Sequence, residues 1–164
     1  MTRSGITAKI GLTIVLVGLS CFFLTILWPL SLSYLAWPNL SIAERLCWVA
    51  EKSGSSSYSI WNFFSNLVLA PTLESLPLLL IFRFCKRKWA ANVATFLYGF
   101  FIHGLSVASV GKAFSFLLIY RLSIKEIGPQ TSYRSLYTRA VLAHFVWNAA
   151  AMMFIVRASD MCRS

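Results

Sequence analysis

A chain of 164 residues that is 58% hydrophobic and 12% charged, with a mean hydropathy of +0.70, is too apolar for a water-soluble domain of its size and reads as a polytopic membrane protein. The net charge of +10 does not point to nucleic acid, because the basic residues stand at the ends of apolar runs, where charge sets membrane topology. The length suits one membrane domain over residues 1–164, without a linker or internal repeat.

Arg3 and Lys9 precede an apolar run that continues from Ile10 to about Trp37. It imitates a signal peptide, but it is too long for one and lacks a small-x-small cleavage site, so a retained first span is expected over 10–34. The stretch SIAERLCWVAEK places Ser41 and Glu44 in capping-box spacing and repeats Ile42, Leu46 and Val49 at helical intervals, which predicts a short amphipathic surface helix. A flexible SGSSSYS follows. A second span is expected over 59–83, ending at the basic RFCKRK, and a third over 89–108. Residues 110–121 form a shorter fourth run in which Lys112 is expected to snorkel to an interface. KEIGPQTS reads as a turn, and 136–156 as the fifth span.

The expected fold class is therefore all-α, with about five transmembrane helices in one bundle. Arg3, Lys9, Arg83, Lys86, Arg87, Lys88, Arg121, Lys125, Arg134 and Arg139 fall on one side of that arrangement, which predicts a cytoplasmic N-terminus. Arg157 and Arg163 run against it. Cys21, Cys47, Cys85 and Cys162 show no CxxC or finger spacing, so neither a disulfide framework nor a cysteine metal site is expected. The 13 Phe, 6 Trp and 6 Tyr are expected to face lipid and the interfaces.

Four polar residues sit in the wrong solvent. Glu74 lies in APTLESLPLLL, nine residues before Arg83, or ~14 Å from the basic end. A carboxylate at that depth is costly unless paired, protonated or wetted. The chain has two histidines, both within apolar runs: His103 in LYGFFIHGLS and His144 in AVLAHFVWNAA. Asn148 follows His144 by four residues and shares its helix face. Measured from the basic ends, His144 lies at ~15 Å and His103 at ~22 Å, a mismatch that calls for a tilted helix or a later start. A shared polar site on three helices gives each group its partners. Each residue taken singly also fits an interhelical hydrogen bond. Pro71 and Pro77 remove backbone donors around Glu74, which either opens a wet cavity or makes a packing kink.

The order APTLES, FLYGFFIH, SLYTRAVLAHFVWN resembles the CPBP family, the CAAX prenyl proteases and bacteriocin-processing enzymes, over roughly residues 66–150. That family of glutamate-dependent intramembrane proteases carries EExxxR, often after Ala-Pro, then a histidine after an apolar segment, then HxxxN. Here Ser75 stands at the second glutamate, Leu79 at the arginine, and Gly99 where the family usually has Phe. The resemblance implies an intramembrane endopeptidase. Glu74 would act as general base on a water that attacks a scissile amide. His144 and Asn148 would stabilise the oxyanion or orient the water, and His103 would help hold it. It implies no cofactor and no metal, and as partners membrane lipid and a membrane-associated peptide or protein substrate, in a bacterial inner membrane. The departures at Ser75 and Leu79 motivate the alternative of an inactive relative acting as an immunity, chaperone-like or regulatory membrane protein. Glu74, His103 and His144 also form a His₂Glu zinc set, but HxxxN is not a metal motif. A proton-coupled transporter would need more spans and a repeat.

Overall fold

The computed structural model describes residues 3–53, 60–107, 109–125 and 132–163. Most of the expected SGSSSYS linker and of the KEIGPQTS turn lies outside them. The described chain is helical, with no strand among the described residues: α1 (Arg3–Ala36), α2 (Ile42–Ser53), α3 (Ile60–Phe64), a π-helical turn (Ser65–Leu69), α4 (Ala70–Phe84), α5 (Lys88–Ile102), α6 (Ser109–Lys125) and α7 (Tyr133–Arg163).

Three stretches are long and apolar enough to cross a membrane: Ile10–Ala36, Trp61–Phe84 and Tyr133–Cys162. The expected count of five is not reached by length, because α5 has 15 residues and α6 has 17. They measure ~22 Å and ~25 Å, against a hydrocarbon core of ~30 Å. Large apolar side chains such as Leu12, Phe23, Leu73, Leu80, Leu97 and Met153 are exposed around the bundle, an outer surface suited to lipid rather than water.

α1 and α7 run parallel. Ile10 and Ile14 line the same groove as Thr138 and Leu142, Gly18 abuts Val146, and Phe22 packs edge-on to Phe154. α7 offers small residues to this packing: Ala140, Ala143 and Ala150 are buried, which lets helices approach closely without a hydrophobic drive between them. α6 runs antiparallel to α1, and Ser115 and Cys21 bond reciprocally to each other's carbonyls at 3.1 and 3.4 Å. α4 runs antiparallel to α7, since Phe82 meets Tyr133 while Thr72 meets Tyr137. These directions bring the start of α1, the α4–α5 connection, the end of α6 and the start of α7 to one basic end.

The opposite end is built around Arg45. α1 stops before Pro38, whose ring cannot continue the helix, and leaves carbonyls without donors. Arg45 on α2 is fully buried and donates to the carbonyls of Ser33, Trp37, Pro38 and Leu40 at 2.5, 2.6, 3.0 and 2.9 Å. Its guanidinium also lies 3.9 Å from the centre of the Tyr34 ring. The expected capping box forms: the Ser41 N–H and hydroxyl both donate to Glu44 at 2.7 Å, and Ser41 Oγ accepts from the Glu44 N–H at 3.3 Å. Those bonds hold the Glu44 carboxyl below its ordinary range. α2 buries Arg45, Val49 and Ala50 and leaves Ile42 outside, so it packs on the last turns of α7 rather than through the expected Ile42 edge.

Cys47 on α2 and Cys162 on α7 form a disulfide, which corrects the expectation of none. Their separation of 115 residues hid the pair from spacing arguments. α7, at ~46 Å, is longer than the ~30 Å hydrocarbon core and carries Cys162 to α2. Cys21 and Cys85 are free. Alkylation of denatured protein isolated without reductant is expected to label two thiols, and four after reduction. Labelling of all four without reductant would remove the disulfide.

Candidate active site

α3, the π-helical turn and α4 form one continuous helix whose register changes just before Glu74. The Ala70 N–H bonds to the Ser65 carbonyl, five residues back. The next donor in that register is residue 71, which is proline and has no N–H. The Asn66 carbonyl thus has neither an α nor a π partner within its own helix. Asn148 Nδ2 donates to it at 2.7 Å. About two turns on, Pro77 offers no N–H to the Leu73 carbonyl, and the carbonyls on either side accept tyrosine hydroxyls: Thr72 from Tyr137 and Glu74 from Tyr98, both at 2.9 Å. The expected loosening around the two prolines is present, and neighbouring helices repair it.

Glu74, His103 and His144 converge. Glu74 Oε2 lies 3.6 Å from His144 Nε2 and 3.9 Å from His103 Nε2. His144 is 1% exposed and the Glu74 side chain is 30% exposed, while the Glu74 oxygen that faces the imidazoles is buried. Both distances exceed a direct hydrogen bond, and Glu74 Oε2, His103 Nε2 and His144 Nδ1 are buried atoms without a hydrogen-bond partner. The Asn148 amide nitrogen is not directed at them, because it is bound to the Asn66 carbonyl, two turns before Glu74.

The depth mismatch of His103 is resolved by the path of α5. α5 packs along α6 and meets α4 little, chiefly through Tyr98. Gly99 permits this packing, since a Cβ there would stand 2.9 Å from Phe116 Cβ and 3.0 Å from Ala113 Cα. The phenylalanine usual at this place in the resembled family would not fit. His103 ends the helix, and Gly104 turns the chain with φ of +89°, a conformation that favours glycine. Ser109 Oγ donates to the His103 carbonyl at 2.9 Å, and Trp28 Nε1 donates to that of Val107 at 2.7 Å.

Sequence reasoning missed three aromatic side chains and a cation. Phe116 is fully buried, with its ring 5.2 Å from His144, 5.6 Å from His103, 5.5 Å from Tyr98 and 5.7 Å from Trp147. Trp147 stacks on His144 at 4.9 Å. These rings are not lipid-facing, as the default held; they fix the imidazole planes. Lys112 precedes Phe116 by one turn on the same face of α6. It is half-buried and close enough to Glu74 for the two charges to interact. The signal available in the sequence was the Lys112/Phe116 spacing beside a buried acid that lacked a counter-charge. Among the described residues no group of three His, Cys, Asp or Glu is arranged to hold a metal ion.

Asn148→Ala should cost about 1–3 kcal/mol, the penalty of leaving the Asn66 carbonyl unpaired, measured by thermal unfolding in detergent. Adding Pro71→Ala restores an N–H in register with that carbonyl and is expected to recover part of the loss. A double variant no more stable than Asn148→Ala alone would refute the assignment.

No family model, no curated protein and no solved structure matches the chain.

Proposed function

We propose that the chain is an intramembrane endopeptidase of the glutamate type, similar to CPBP proteases, that cleaves a membrane-associated peptide or protein. The observation that carries this reading is the approach of Glu74 to both histidines across gaps of 3.6 and 3.9 Å, with its facing oxygen unbonded. Groups at that spacing can share one water lying beside them once they part slightly. In the proposed reaction Glu74 takes a proton from that water as its oxygen attacks the scissile carbonyl carbon. The Nε2–H tautomers of His144 and His103 donate to the developing oxyanion. As the C–N bond breaks, the proton held by Glu74 passes to the leaving amine, which regenerates the carboxylate. Lys112 supplies the nearby positive charge that balances Glu74. Asn148 acts as a positioning residue, through the π-helical turn that precedes Glu74.

The same proposal sets the chain in a bacterial inner membrane with its N-terminus in the cytoplasm. Disulfides persist in oxidising compartments, and the Cys47–Cys162 pair lies at the end opposite the basic residues. We also propose five crossings. α5 starts and α6 finishes at the basic end, and their turn at Val107 reaches Trp28, ~27 Å along α1 from Ile10. A second reading, an inactive relative with an immunity, chaperone-like or regulatory role, is favoured by one observation: the Asn148 amide nitrogen serves the backbone and not the site.

The deciding experiment compares new peptide termini in host membranes carrying wild type or Glu74→Gln at equal levels. Loss of the wild-type termini by at least ~100-fold is expected for removal of a general base. Equal termini from both, with both inserted, would overturn the protease and favour the second reading. Lys112→Met is expected to reduce cleavage by ~10-fold or more while Lys112→Arg retains most of it, as a charge acting in a site of low dielectric requires. Full activity in Lys112→Met would remove it from the mechanism.

A further inference from the structure

α4 and α5 are joined by a short connection at the basic end, yet α5 packs along α6 and meets α4 little. The divergence leaves a cavity of about 790 Å³, within the ~300–1,000 Å³ of ordinary ligand sites. Its walls are apolar: Val17 from α1, Phe82 from α4, Ala91 from α5, and Leu118 and Leu122 from α6. Its mouth is cationic, with Lys86, Lys88 and Arg121, all exposed. Arg121 is held there by its Nε–H, which donates to Asn92 Oδ1 at 2.8 Å. Among the described residues no carboxylate lines the cavity, and neither Glu74 nor either histidine does. Phe82 lies two turns from Glu74, ~12 Å along α4.

An apolar chamber opening at three cations, set at the membrane's edge, is complementary to a molecule with a long apolar body and an anionic head. Basic pockets between spanning helices bind acidic headgroups in this way. We propose that the cavity is a binding site for one acidic phospholipid, its phosphate held by Lys86, Lys88 and Arg121 and an acyl chain lying against Phe82, Leu118 and Leu122. Arg83, Arg87 and Arg134 at this end do not line the cavity. Arg83 lies outside it, with its guanidinium 5.7 Å from the Phe84 ring centre, and Arg87 is exposed beside it. The proposal does not depend on the protease reading.

The test is native mass spectrometry of the protein released from vesicles of phosphatidylglycerol and phosphatidylcholine with matched acyl chains. One retained phosphatidylglycerol per chain is expected, enriched over phosphatidylcholine by at least ~5-fold, about the contribution of one cation near an anionic headgroup. Lys86→Gln/Lys88→Gln/Arg121→Gln should bring the ratio back to that of the bulk lipid. Arg83→Gln/Arg87→Gln/Arg134→Gln, which removes as many cations from the same end, should leave it unchanged. Each variant keeps basic residues in the α4–α5 connection, so insertion is preserved, and a thermal melt checks the fold. Equal loss in both variants would reduce the effect to diffuse surface charge. Equal retention of the two lipids would make the cavity a plain apolar groove, and displacement by inorganic phosphate would make it a bare anion site; either result overturns the proposal.

Discussion

Inside a bilayer every backbone carbonyl and N–H needs a partner from the protein, and the whole arrangement follows from how this chain meets that demand where its helices break. It breaks at the α1–α2 corner, at the π-helical turn before Glu74, and at the turn after His103. Each break leaves carbonyls exposed, and each is closed by a side chain distant in sequence or in helix: Arg45 at the corner, Asn148 at the π-helical turn, Ser109 and Trp28 at the third. These bonds also fix which helices are neighbours. Asn148 ties α7 to the helix that bears Glu74, Tyr98 ties α5 to the same helix, and Trp28 ties the α5–α6 turn to α1.

The convergence of Glu74 with His103 and His144 is a consequence of those ties. α4 and α7 run antiparallel and are pinned before Glu74 by Asn148 on Asn66 and Tyr137 on Thr72, and beyond it by Phe82 against Tyr133. His144, four residues from Asn148, therefore has to face Glu74. His103 arrives by another route, through the close α5–α6 contact at Gly99 and the turn at Gly104. Phe116 then serves as the common wall, and packing against one face of each imidazole fixes their planes without using their nitrogens.

Much of this was legible in the sequence, and the parts that were not share a cause. Glu74, His103, His144 and Asn148 are polar residues in apolar runs, so their cost in lipid marked them one by one, and Ser41 with Glu44 announced a cap by spacing alone. Relations between distant segments left no such mark. Cys47 and Cys162 pair only because α7 is long enough to meet α2, and residue spacing carries no trace of that. Lys112 and Phe116 looked like an interfacial lysine and a lipid-facing ring, because the side a helix turns inward depends on its neighbours. The role of Asn148 was hidden one step deeper. Its partner is a carbonyl that lacks a donor only through the combination of a π-helical turn and Pro71.

Arg45 and Glu74 show how one burden, a charge withdrawn from water, is met in opposite ways. Arg45 has no carboxylate in ion-pair contact among the described residues, but its guanidinium donates to four carbonyls and lies on the Tyr34 ring. Its hydrogen-bonding capacity is used on the fold, and it has little left for a ligand. Glu74 has a counter-charge in Lys112, yet its facing oxygen has no donor. Coulomb attraction acts across several ångströms in a medium of low dielectric, so Lys112 can balance the carboxylate without occupying its lone pairs. A hydrogen-bonded partner would have made Glu74 as inert as Arg45. A charge acting from a distance, with imidazoles held just beyond bonding range, instead leaves the lone pairs of that buried oxygen unclaimed.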